Sequence, residues 1–213
     1  MAGIIMTKAE LAGIWNYYLS LEADIANTSQ YIEPKGQEDV YSFEFAKLLI
    51  LSCTEVESVL KAICRAITGE QPGGDIGIYK KIVLENYPRI TEASVVVTRL
   101  GTNLTPFSEW KTGKLSWWEA YQHVKHNRGA FFEQATYRHA VTSISALYIL
   151  IFYLAKIEDL TFRDYDSKYI DSNYCYGHLL VSPSEQLPGF EKDKSEPIDL
   201  DHFNVSDIIK EID

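Results

Sequence analysis

Cysteine is scarce in this chain, three among 213 residues, and Cys53, Cys64 and Cys175 form no Cys-x-x-Cys pair. That excludes a disulfide framework and a zinc ribbon. Cys53 and Cys64 fall on one expected helix, about 16 Å apart at its rise per residue, too far to bridge. No disulfide partner is expected. The segment Met1 to Met6 has a short apolar run but no basic stretch before it, so no signal peptide is read. The most apolar segment, Ser145 to Ala155, falls short of the roughly 20 residues a bilayer needs, so no membrane partner is expected. Neither glycine of Gly73-Gly74 belongs to a phosphate-loop pattern, and there is no internal repeat. Together these absences favour a reducing, cytoplasmic setting.

Basic residues are also few: 20 Lys and Arg against 30 Asp and Glu, a formal charge of -10. The deficit is local. Residues 157 to 213 hold 14 acids and 5 bases, which leaves 16 acids and 15 bases for the rest. Between Glu109 and His139 the balance turns weakly basic, which permits phosphate contact there. Apolar residues at 46% and aromatics at 13% exclude disorder as the dominant state, and the length suits one domain plus a tail.

Helical periodicity dominates the first three quarters of the chain. Thr7-Lys8-Ala9-Glu10 reads as a capping box opening a helix to about Asn27, with Leu11, Ile14, Tyr18, Leu21 and Ile25 as its apolar stripe. Tyr41 to Thr68 repeats the pattern through Phe45, Leu48, Val56, Leu60, Ile63 and Ile67 and ends at Gly69. Glu55 flanks that apolar face and needs a partner if buried; Glu57 points outward toward Lys61. Asp75 caps a short helix from Ile76 to Tyr87. Ala93 to Leu100 with Gly101-Thr102-Asn103 reads as a small hairpin. A helix from Ser116 is expected to break at Gly129, and a last one to run from about Phe132 to Glu158. Beyond it, the Asp-, Ser- and Tyr-rich Tyr165 to Tyr176, a short strand near Leu179 to Val181, Pro183, Pro188 and Pro197, and a short turn at Asp207 to Ile212 make an irregular tail. The fold class expected is mainly α: a helical bundle, residues 1–158, with a small β-hairpin insertion and an acidic C-terminal extension, residues 159–213.

Trp117 to Arg128 concentrates the chemistry. On a helical wheel Trp117, Tyr121, Val124 and Arg128 share the core face, while Glu119, His123 and His126 stack on the other. Arg128 and Lys125 also suit the helix C-terminus electrostatically. Glu119, His123 and His126 could be ordinary solvated surface, and as metal ligands they number at most three. No metal and no cofactor is expected.

The run Pro106-Phe107, Trp110, Trp117-Trp118 to Tyr121, Val124-Lys125-His126 and Arg128, preceded by the helix carrying Glu55, Glu57 and Lys61, resembles bacterial members of the HEPN superfamily. It spans most of residues 41 to 156. The resemblance implies a compact helical bundle that often homodimerises, and many members are metal-independent ribonucleases of toxin or phage-defence systems. The usual Arg, four to six residues, then His is absent; Lys125, His126 and Arg128 match a Lys-His-x-Arg variant. Two functions follow. In the first, RNA is the partner, His126 is the catalytic acid or base, and Arg128 or Lys125 holds phosphate. On a straight helix, however, His126 and Arg128 point nearly oppositely, so a bend or a second subunit must reconcile them. In the second, Arg128 pairs with Glu55 inside the bundle, and the protein is a non-catalytic dimerisation or interaction module.

Overall fold

The most apolar stretch of the chain becomes the helix around which the others are arranged. In a computed structural model describing residues 6–70, 72–97, 100–158, 181–183, 186–192 and 196–199, this helix, α5 (Tyr137–Ile157), is buried along nearly its whole length. Among the described residues it alone has the length and hydropathy to cross a membrane, yet 83% of its most apolar window lies inside the fold. The sequence segment Ser145 to Ala155 therefore understates it. α2 (Phe43–Thr68) packs most extensively on α5, with α1 (Lys8–Thr28) and α4 (Ser116–Phe131) alongside and α3 (Ile76–Asn86) against α2.

Local chemistry sets most helix ends. Thr7 and Glu10 form the capping box that opens α1. Ser42 accepts from the Phe45 amide at the start of α2, and Gly69 closes that helix with a left-handed φ of 79°. Asp75 caps α3 through the Gly77 amide, 2.8 Å away. α4 lacks a capping side chain at Leu115. Glu109, seven residues upstream, substitutes: one oxygen accepts from the Ser116 amide at 2.7 Å and its hydroxyl at 3.0 Å. A carboxylate there satisfies an orphan N–H and suits the helix dipole.

The core joins these helices through aromatic and small polar contacts. Trp117 is buried and its indole N–H donates to the Pro106 carbonyl at 2.9 Å. Trp15, Tyr18 and Tyr148 group where α1 meets α5, and Tyr18 donates to the buried Glu22 at 3.0 Å. Ser52 of α2 and Ser143 of α5, both buried, meet hydroxyl to hydroxyl at 2.6 Å.

Between α3 and α4, β1 (Val95–Val97) and β2 (Thr102–Leu104) form the antiparallel hairpin, with Val95 opposite Leu104. β3 (Val181–Pro183) adds to the other side of β1, Pro183 opposite Val95. β4 (Gln186–Lys192) pairs with β5 (Glu196–Asp199). The tail prolines thus fall within short strands, each at a sheet edge, where a missing N–H can be tolerated. The protein is mainly α, a helical bundle with a small hairpin, and its C-terminal extension carries no helix among the described residues. Tyr165 to Tyr176, Cys175 and Asp207 to Ile212 lie outside those residues. Cys53 and Cys64 are free and buried.

The final helix does not begin at Phe132. Phe132–Gln134 is a 3-10 turn, and Thr136 caps a separate start by accepting from the His139 amide at 3.2 Å. The segment before α2 runs beside this turn. Tyr41 bridges Thr136, the Tyr137 amide donates to the Val40 carbonyl at 2.9 Å, and the Arg138 amide donates to the Glu38 carbonyl at 2.8 Å.

Candidate functional site

The end of α4, the turn at Phe132–Gln134, the first residues of α5 and the strand-like segment before α2 converge on one surface. Trp117, Ala120, Tyr121 and Val124 bury the core side of α4 as their spacing predicts. Arg128 does not follow them inward. Asn127 has φ -149° and ψ 62°, a non-helical geometry that breaks the helical phase one residue before Arg128. The kink falls two residues earlier than the break expected at Gly129, and it comes between His126 and Arg128. A wheel drawn through both residues therefore no longer applies.

Arg128 is exposed, its guanidinium carbon 5.7 Å from the centroid of the Phe43 ring. It makes no ion pair with Glu55, nor with any other carboxylate among the described residues. The expected Glu55–Arg128 pairing is absent because the kink turns the arginine out toward the start of α2. Glu55, in the middle of α2, stays half-buried, and burial raises its carboxyl above the ordinary range. Glu57 instead holds Lys61 at 2.7 Å, the spacing of a surface pair.

His126 is exposed and has no hydrogen bond or ion pair within the described residues. Lys125, also exposed, donates to the Tyr121 hydroxyl at 2.9 Å and lies 5.1 Å from the centre of that ring. That hydrogen bond holds its ammonium above the ordinary lysine pKa. His123 stacks on Phe131, ring centroids 4.5 Å apart at 22°. Glu119 bonds Lys114 at 3.0 Å rather than an imidazole, and no three His, Cys, Asp or Glu among the described residues are grouped as metal ligands.

Several residues of this surface carry no signal in the helical wheel. Phe43, 71% exposed, and Tyr41, 51% exposed, both lie against Phe132, at 4.7 Å and 5.4 Å between centroids. Gln134 bonds two imidazoles: its side-chain oxygen lies 2.9 Å from His123 Nδ1, and its carbonyl oxygen 2.7 Å from His139 Nδ1. Reading one helix through Phe132 hides this turn; Thr136, a capping residue three before His139, is the sequence signal that reveals it. Arg138, beside His139, is paired with Asp39 at 3.1 Å.

Exposed rings, a guanidinium without a carboxylate and several imidazoles make a surface suited to an anionic partner with flat faces. Compared with protein-family models, curated proteins and solved structures, the chain has no match in any of the three.

Proposed function

We propose that this chain is an HEPN-like ribonuclease whose site lies at the kinked end of α4. One observation carries the reading: the non-helical Asn127 separates His126 from Arg128, both side chains are exposed, and Arg128 lies over the Phe43 ring. His126 serves as acid or base at an RNA phosphodiester, and Arg128 or Lys125 balances phosphate charge. Residues 1–158 form the catalytic domain and residues 159–213 an acidic extension. The resemblance to the superfamily supports a metal-independent reaction and a cytoplasmic role in toxin or phage defence.

The test is incubation of the purified protein with mixed RNA, with and without chelator, beside His126→Ala. Cleavage that survives chelator and disappears in the variant, with its thermal unfolding unchanged, is the expected result. Full cleavage by His126→Ala removes the assignment.

A second reading, a non-catalytic interaction module that forms a homodimer, is favoured by the exposure of Phe43 and Tyr41. A concentration-dependent dimer dissolved by Phe43→Ser, with no cleavage of any RNA, would select it.

A further inference from the structure

Cleavage of RNA by attack of its own 2'-hydroxyl needs two proton-transfer groups, a base for the nucleophile and an acid for the leaving oxygen. His126 supplies one. The second is sought among imidazoles whose orientation and proton position the fold has already set.

His123 meets that condition. It lies one turn before His126 on the same face of α4, at the i, i+3 spacing that brings Cβ atoms to about 5–6 Å. Its Nδ1 faces the side-chain oxygen of Gln134 at 2.9 Å. An amide oxygen only accepts, so Nδ1 carries the hydrogen. In the neutral ring Nε2 is then the basic nitrogen, and protonation adds a proton there without disturbing the bond to Gln134. Nε2 has no hydrogen bond within the described residues. Phe131, stacked against the ring, fixes its plane.

Gln134 is itself held in place. Its carbonyl oxygen accepts from His139 Nδ1 at 2.7 Å, and the His139 amide donates to Thr136 at 3.2 Å. The capped start of α5 thus anchors the turn that orients His123. Arg138 is paired with Asp39, and Glu119 with Lys114, so neither of those nearby carboxylates is paired with His123.

We infer that His123 is the second catalytic imidazole, paired with His126, and that Gln134 is the positioning residue that keeps its Nε2 available. This rests on the ribonuclease reading above. One imidazole takes the 2'-hydroxyl proton at its nitrogen as the 2'-oxygen bonds to phosphorus. The bond from phosphorus to the 5'-oxygen breaks, and the other ring, protonated, gives its proton to that oxygen. A 2',3'-cyclic phosphate and a 5'-hydroxyl result, with one proton taken and one returned. His123 is exposed, so its replacement should leave the thermal unfolding of the chain close to that of the wild type.

The test uses the full chain and a short fluorescent RNA, with variants His123→Ala, His126→Ala, His139→Ala, Gln134→Met and Gln134→Glu, and nitrogen-15 NMR of the imidazole rings. His123→Ala should lower kcat by roughly a hundredfold or more. Gln134→Met, which cannot accept, should lower kcat roughly ten- to a hundredfold with KM unchanged. Gln134→Glu, which can accept, should restore it. The NMR should report hydrogen on Nδ1 of His123 in the wild type and its loss from that nitrogen in Gln134→Met, while His139, bonded to the main chain, keeps its own. If the wild type cleaves no RNA, the ribonuclease reading falls and this pairing with it. If the wild type cleaves and His126→Ala does not, while His123→Ala and Gln134→Met are both fully active, the reading stands and the second imidazole is refuted. An Nε2-hydrogen ring at His123 in the wild type refutes the positioning role of Gln134 and with it the proposal.

Discussion

Arg128 lays its guanidinium over the ring of Phe43, 5.7 Å from the centroid, on a surface where both side chains are exposed. A cation over an exposed ring contributes roughly 0.5–1 kcal/mol, too little to explain the placement as a device for stability. The arrangement instead presents a charge and a flat face side by side. On the proposed ribonuclease reading, a nucleotide supplies the matching pair, a phosphate and a base.

Arg128→Gln should therefore cost the fold less than about 1 kcal/mol. It should reduce the slope of log affinity for single-stranded RNA against log salt concentration by about 0.7, the loss of one phosphate contact. Phe43→Ser should weaken binding by roughly 1–3 kcal/mol without altering that slope, because stacking releases no counterions. Fluorescence anisotropy over a salt series separates the two. An unaltered slope in Arg128→Gln would take phosphate contact away from this residue.

Ser52 and Ser143 join α2 to α5 at 2.6 Å in a region closed to water. Ser52 also lies 2.7 Å from the Leu48 carbonyl and Ser143 2.8 Å from the Ala140 carbonyl. Each hydroxyl has one hydrogen, so one donates across the interface while the other donates to its own helix. Removing either partner alone should cost about 1–2 kcal/mol, since the survivor loses a buried partner. The double replacement by alanine should cost less than the two singles together, by at least about 0.5 kcal/mol. Urea denaturation of the four proteins measures this, and strictly additive losses would mean the two hydroxyls act independently.

Glu55 gives the fold a pH dependence whose sign is opposite to that of a salt-bridged carboxylate. Burial raises its carboxyl in the folded chain, and unfolding returns it to the ordinary value. The folded state then binds the proton more tightly. Its stabilising contribution is complete below the unfolded pKa, about 4.3 for glutamate, and is lost as pH rises through the higher folded value. Glu55→Gln should be more stable than the wild type at neutral pH, and the gap should close below about pH 4. A variant that is less stable at neutral pH would reveal a cationic partner for the carboxylate.

The helices were legible because their signals are local. Thr7 with Glu10, Asp75 and Gly69 satisfy or terminate backbone groups within a few residues of themselves, and each lies where its spacing implies. The buried face of α4 was equally readable, since Trp117, Tyr121 and Val124 keep one helical phase. That reading failed at Arg128 because a wheel assumes unbroken phase, and Asn127 breaks it. The turn at Phe132–Gln134 escaped for a related reason: apolar residues on both sides make the periodicity look continuous, and only Thr136 marks the interruption.

Sequence by itself determined that this is a helical protein with a small hairpin, and most of the inward-facing stripe of α1, α2 and the unbroken part of α4, because periodicity and capping act over a few residues. Tertiary structure alone decided that Phe43, ahead in the chain by more than eighty residues, lies beneath Arg128, and that Gln134 receives His123 and His139 together. Those contacts depend on where the 38–42 segment runs beside the start of α5 and on the angle at Asn127. Such long-range placements arise from the packing of whole helices, which no local pattern of residues records.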